Sequence, residues 1–157
     1  MRISLLLVVL LLAACRGSAQ PATAPLPGVG RAALTRLMTA QFERSAADWN
    51  RGDLDGFLSD YAPDSATSYV DGRRSRAGMD YIRGVYAPRF LPGARRDSLH
   101  FEEIDVRPLS ATLALVTARF ILQRGPEITA SGPFTLIMEQ RPQGWKILHD
   151  HSSLDPK

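Results

Sequence analysis

The apolar positions of the chain fall into three stretches with different periods. The first, Ile3 to Leu12, is apolar throughout except for Ser4 and has no period. In the second, Leu34, Leu37, Met38, Phe42 and Trp49 return at helical spacing, with Gln41 and Ser45 on the same stripe. Arg36, Glu43, Arg44 and Asp48 fall on the other side. This pattern predicts an amphipathic helix over about residues 31–51. Gly52 stops it, and Asp53 is placed to cap a short second helix carrying Leu54, Phe57 and Leu58, closed by Pro63. A short strand from Ala66 to Val70 turns at Asp71-Gly72. Ser75 then caps a third helix whose Met79, Ile82 and Tyr86 face inward, and Pro88 ends it by removing a donor.

From residue 98 the period becomes two. Strands are expected at about 98–107, 111–124, 128–141 and 144–153, separated by Pro108, Gly125-Pro126 and Pro142-Gln143-Gly144. Links this short between long strands imply an antiparallel meander. Helices first and a sheet afterwards make the domain, residues 31–157, α+β, with three N-terminal helices packed on the sheet. A two-residue Gly125-Pro126 turn would set Gln123 opposite Ile128, Arg119 opposite Gly132 and Leu115 opposite Leu136. One sheet face then carries Leu113, Leu115, Thr117, Arg119, Phe134, Leu136 and Met138. Arg119, alone on that apolar face beside a glycine gap, becomes the candidate to receive a carboxylate bidentately. The alternative is an arginine paired internally to a carboxylate or reaching solvent.

The leading segment is too short to be a membrane span, which needs roughly 20 apolar residues. Arg2, the apolar run and the small residues Ala13 and Ala14 have the layout of a signal peptide, residues 1–14. Leu12-Ala13-Ala14-Cys15 resembles the lipobox of bacterial lipoproteins. That resemblance implies cleavage before Cys15, lipid on its thiol, and a membrane anchor without a spanning helix. Residues 15–30 read as the lipidated cysteine and a Pro/Ala/Gly tether. Arg16 stands where an Asp would retain such a lipoprotein at the inner membrane, so the expected location is the periplasmic face of the outer membrane. Cys15 is the only cysteine, so no internal disulfide can form.

Charge and motifs remove several classes of function. A formal charge of +3 with no dense basic run leaves no nucleic-acid-binding face. A GxSxG nucleophile elbow and a glycine-rich phosphate loop are both absent. His149 and His151, two apart on the last strand, share a face. With a two-residue Pro142-Gln143 loop they join the Arg119 face; with a glycine bulge at Gly144 they turn away and Asp150 points in. They are the candidate acid/base residues, with Asp150 as an orienting carboxylate, or else histidines that shape a polar cavity. A metal would need a third ligand, for which His100, Glu102 and Glu139 are the nearby choices. These make no triad, and neither a metal nor a cofactor is expected. Trp49 ends the buried stripe and could form a pocket wall, while Tyr69 could donate its hydroxyl to a ligand at the mouth.

Two segments carry a family resemblance. Asp48-Trp49-Asn50-Arg51-Gly52-Asp53-Leu54-Asp55-Gly56-Phe57, followed by Tyr61, resembles the opening of nuclear transport factor 2-like domains. Gly144-Trp145-Lys146-Ile147-Leu148-His149-Asp150-His151-Ser152-Ser153 is similar to their last strand. That ending is similar to the SnoaL-like subgroup and to the association domain of calmodulin-dependent kinase. The resemblance implies a curved sheet wrapping the long helix into a cone with a pocket. Members of that superfamily include isomerases, dehydratases, hydrolases, binding proteins and oligomerisation modules. The resulting expectation is a lipid-anchored, extracytoplasmic domain binding a small organic ligand, anionic at Arg119, through Arg119, His149, His151, Tyr69 and Trp49. The alternatives are a cofactor-free isomerase, dehydratase or hydrolase, and a dimerisation scaffold. Ala114, Val116, Ala118, Phe120 and Ile137, expected on the other sheet face, point to a homodimer.

Overall fold

The apolar stripe beginning at Leu34 becomes α1 (Arg31–Arg51), which buries Leu34, Met38, Phe42, Ala46 and Trp49 along one side. The computed structural model describes residues 30–71 and 75–156. The expected signal peptide, Cys15 and nearly all of the tether therefore lie outside the described residues. Gly52 ends α1 with a φ of 85°, its neighbourhood returning backbone N–H groups to Asp48 and Trp49. Side chains rarely adopt this left-handed geometry, so a glycine is needed for the chain to turn there. Asp53 caps α2 (Leu54–Leu58) by accepting the Gly56 N–H at 2.7 Å.

The segment that resembles a family opening acts as this corner. Asp48 is buried and pairs with Arg51 at 2.5 Å. The Trp49 indole donates to the Asp97 carbonyl at 2.9 Å. The Asn50 amide makes two bonds to Leu99, accepting its N–H at 2.8 Å and donating to its carbonyl at 3.0 Å. Together these residues fasten the end of α1 to the first long strand.

Short strands β1 (Ser68–Val70) and β2 (Ser75–Ala77) follow, then α3 (Met79–Tyr86), a 3₁₀ turn (Ala87–Phe90), and four long strands. These are β3 (Ser98–Pro108), β4 (Leu113–Arg124), β5 (Glu127–Arg141) and β6 (Gly144–Ser152). Ser75 belongs to a strand rather than capping α3, whose N-cap is Gly78. One six-stranded sheet runs in the order β2-β1-β6-β5-β4-β3. The meander β3–β6 is antiparallel, as expected. The sheet as a whole is mixed, because β1 pairs parallel to β6. The expected α+β architecture is present, with α1 packed across β3.

Irregularities in three strand pairs decide which side chains meet. Register shifts lie between Glu102 and Asp105, between Leu122 and Gln123, and between Ile137 and Met138. An extra residue on one strand bends it and moves every later partner by one. The β4–β5 turn begins as expected, with Gln123 opposite Ile128. Beyond the shift, Phe120 pairs with Gly132, Ala118 with Phe134 and Val116 with Leu136. The expected face assignment is corrected accordingly. Ala114, Val116, Ala118, Phe134, Leu136 and Met138 are buried together in the core under α1, whereas Arg119 pairs opposite Pro133 on the other face.

Candidate ligand-binding cavity

Because α1 leans on β3 and the sheet curves past it, the core is not filled to the end. A cavity of about 540 Å³ remains between α1, α3 and the inner faces of β3–β6. This lies within the roughly 300–1,000 Å³ range of small-molecule sites. Its wall is mainly aromatic: Phe42 and Trp49 from α1, Phe101 from β3, Phe120 from β4 and Phe134 from β5 all line it. Trp49 packs edge-on against Phe57, Tyr86 and Phe90, with ring centroids 5.2, 6.2 and 5.1 Å away, so the wall is fixed by mutual contact.

The polar groups of the cavity are few and connected. Asp150, on β6, is 5% exposed. Its Oδ2 accepts the Tyr61 hydroxyl at 2.6 Å and its Oδ1 accepts the Ser152 hydroxyl at 2.8 Å. The Tyr61 and Tyr86 hydroxyls lie 3.2 Å apart. Burial pushes the Asp150 carboxyl above the usual carboxylate range, an effect partly offset by the hydrogen bonds from Tyr61 and Ser152. Burial also holds the Tyr61 and Tyr86 phenols well above their ordinary value, and pushes Tyr69 up to about 12. A second acid, Asp60, lines the cavity and is bound by Gln41 at 2.8 Å and by Arg44. Burial raises its carboxyl as well. Exposed Asp71 and Arg89 also line the cavity.

Residues 38–156 match the SnoaL-like domain family. The chain belongs to that family. A nuclear transport factor 2-like protein of unknown function from Shewanella oneidensis MR-1 is 27% identical with a TM-score of 0.65, the match covering 76% of this chain and 98% of that one. A protein of unknown function with a cystatin-like fold from Nostoc punctiforme is 11% identical with a TM-score of 0.66, covering 83% and 96%. A ketosteroid isomerase-like protein from Erwinia carotovora atroseptica is 18% identical with a TM-score of 0.58, covering 78% and 97%. No curated protein matches the chain.

Within this SnoaL-like fold the residues proposed from sequence separate. Trp49 and Tyr69 line the cavity. Arg119 does not; its guanidinium pairs with Asp155 at 2.5 Å on the far side of the sheet. The glycine gap is occupied too. A Cβ on Gly132 would lie 1.8 Å from the Ser153 carbonyl oxygen, so the C-terminal strap fills it. His149 and His151 pair opposite Ile137 and Thr135, and so share the Arg119 face, while Asp150 pairs opposite Leu136 and points inward. Both features foreseen as alternatives for the last turn are therefore found together: the one β5–β6 shift, at Leu148, turns the histidines outward and Asp150 inward, and the β4–β5 shift has turned Arg119 outward as well. His149 Nδ1 lies 2.7 Å from the Ser68 hydroxyl across the β1–β6 pairing. His100 and Glu102 contact each other at 3.1 Å on exposed β3. Among the described residues, no group of three or more His, Cys, Asp or Glu is placed to hold a metal ion.

The sequence placed Tyr86 facing inward and Tyr61 in the family-like opening segment, but gave neither of them, nor Asp60, a part in the site. A lone aspartate reads as a surface charge, and tyrosines read as core. Asp150 was foreseen inside only in the bulged alternative, because the extra residue, Leu148, breaks the alternation between Ile147 and Asp150.

Proposed function

We propose that the domain binds a small, largely apolar and neutral organic molecule in the aromatic cavity, its polar group directed at the Asp150–Tyr61–Tyr86 cluster. The observation that carries this reading is a cavity of about 540 Å³, walled by aromatic rings, whose deepest polar groups are already hydrogen-bonded to one another. Ligand sites combine an apolar wall with a few placed polar groups in this way. The anionic ligand expected from Arg119 loses its basis, since that guanidinium is paired to Asp155 outside the cavity.

Screening the protein by thermal shift against bicyclic aromatic compounds tests this. Ala130 lines the cavity, and Ala130→Trp would fill it. Wild type and Arg119→Ala are expected to respond alike, and Ala130→Trp not at all. Equal responses from all three proteins would contradict the reading.

A second reading is favoured by one observation, the raised carboxyl of Asp150 at the cavity wall. A carboxyl whose proton is held more tightly than usual, in hydrogen-bond contact with a phenol at the cavity wall, is suited to proton transfer to and from a bound substrate. On this reading the acid/base role falls to Asp150 rather than to His149 or His151. Asp150→Asn would then retain binding while losing turnover; equal loss of both would favour a binding role alone.

The anchoring and assembly of the domain are part of the same proposal. The Leu12-Ala13-Ala14-Cys15 sequence supports lipidation at Cys15 and placement on the periplasmic face of the outer membrane. Metabolic labelling with an alkyne fatty acid should mark the wild type and not Cys15→Ser. A homodimer is supported by Leu115 and Ile137, paired opposite each other and half-buried on the outer sheet face.

A further inference from the structure

Three polar side chains in the cavity share their protons, and this constrains the chemistry of the ligand. Asp150 Oδ2 and the Tyr61 hydroxyl are 2.6 Å apart, and the Tyr61 and Tyr86 hydroxyls 3.2 Å. Each contact needs one proton between its two oxygens. A phenol has a single proton to donate, so the direction of one bond fixes the direction of the next. With Asp150 ionised, Tyr61 donates to it, Tyr86 donates to Tyr61, and Tyr86 is left with only its oxygen lone pairs to offer to the neighbouring Tyr69 hydroxyl and to a ligand. With Asp150 protonated, the carboxyl donates to Tyr61, Tyr61 donates to Tyr86, and the Tyr86 proton turns towards the neighbouring Tyr69 hydroxyl and the cavity, where a ligand can accept it.

We propose, building on the cavity-binding reading above, that Asp150, Tyr61 and Tyr86 form a reversible hydrogen-bond relay that couples the ligand's hydrogen-bonding character to one proton. A ligand that accepts, such as a ketone, takes the Tyr86 proton and binds with Asp150 neutral, so at high pH it draws one proton from solvent. A ligand that donates, such as an N–H heterocycle, gives its proton to the Tyr86 oxygen and binds with Asp150 ionised, so at low pH it releases one to solvent. The cavity is then selective for neutral acceptors at low pH and for neutral donors at high pH.

The surroundings of Asp150 permit this. Its immediate partners are Tyr61, Ser152 and, opposite it across β1–β6, Tyr69. From α1, β3, β4 and β5 the cavity receives apolar side chains and Ser45. The remaining titratable groups are Asp60, already held by Gln41 and Arg44, and Asp71 and Arg89. His149 and His151 flank Asp150 in sequence but face the other side of the sheet. Whatever these groups contribute to pH dependence acts on all neutral ligands of one shape alike. The relay alone distinguishes acceptor from donor.

Three bicyclic probes of matched size and no charge test the proposal by calorimetry on the full chain from about pH 5 to about pH 9. Indene offers no polar group, 1-indanone only accepts, and indole donates its N–H. The ratio of the Kd for 1-indanone to that for indole is expected to rise with pH. Its slope should approach about tenfold per pH unit where the carboxyl titrates, the limit for one linked proton. In Tyr61→Phe, or in Tyr86→Phe should the first variant not fold, the two profiles should run parallel while indene binding persists. Parallel profiles for 1-indanone and indole in the wild type would overturn the relay and leave the cavity reading standing, provided indene binds. Failure of all three probes to bind would overturn both.

Discussion

A buried acid shows its environment most directly through stability against pH, and Asp150 is such an acid. Its folded carboxyl is held above the unfolded value, so the folded chain keeps that proton to a higher pH. Stability is therefore lost as pH rises from the ordinary carboxylate value through the raised one. Asp150→Asn removes the titration and keeps an acceptor for Tyr61. In paired thermal melts the variant should gain on the wild type as pH rises; a constant difference would show that the carboxyl is not destabilised by burial. Asp155 has the opposite sign. The Ser131 hydroxyl and then Arg119 hold its carboxyl below the usual range. What it contributes is present above the unfolded value and fades as pH falls through the folded one. Gly132 makes a steric prediction. A methyl group there meets backbone rather than a movable side chain, so Gly132→Ala should destabilise by about 2 kcal/mol, the usual scale of overpacking. Chemical denaturation would register this as a lower midpoint.

At the scale of elements, helices and strands differ in how openly the sequence declares them. α1 matched its expected bounds because a buried stripe, a glycine in left-handed geometry and a capping aspartate all mark the same ends. The four long strands were legible as alternation, but the faces they present were not. At the β4–β5 shift the extra residue is Thr129 on β5, and Ile128-Thr129-Ala130 reads as ordinary apolar–polar alternation, so nothing in the sequence marks it as extra. One unmarked residue was enough to move Arg119 from the cavity to the opposite face. The same single-residue logic explains why Ala114, Val116, Ala118 and Phe120, expected on an outer dimer surface, lie on the α1 side of the sheet. β2 was missed because three residues following two arginines carry no alternation to read. The join between α1 and β3 rests on the paired bonds of Asn50 to Leu99. Asn50→Ala leaves the Leu99 N–H and carbonyl without partners and should cost about 2 kcal/mol. Amide exchange at Leu99 would report it as lost protection; unchanged exchange would place the join elsewhere.

For the whole molecule, the family segments specify a scaffold and not a reaction. The Asp48–Phe57 stretch builds a corner, and the final strand delivers Asp150 inward by passing a bulge. The chemistry of the cavity then depends on Tyr61 and Tyr86, which arrive from separate elements. Fold recognition was therefore available from local sequence, while the site required three-dimensional register. No described helix is long and apolar enough to cross a membrane. If Leu115 and Ile137 lie at a dimer interface, light scattering on the wild type should give twice the chain mass and Ile137→Lys should give a monomer. A monomeric wild type at high concentration would remove the dimer from the account.

The central claim is that the space under α1 holds a guest with its polar end at Asp150, Tyr61 and Tyr86. Crystals grown with 5-bromo-1-indanone test it most directly, because bromine can be located by its anomalous scattering. The account predicts a bromine peak among Phe101, Phe120 and Phe134, with the ketone oxygen within hydrogen-bonding reach of Tyr86. An empty cavity with bromine on the opposite sheet face, beside Arg119 or His149, would contradict it.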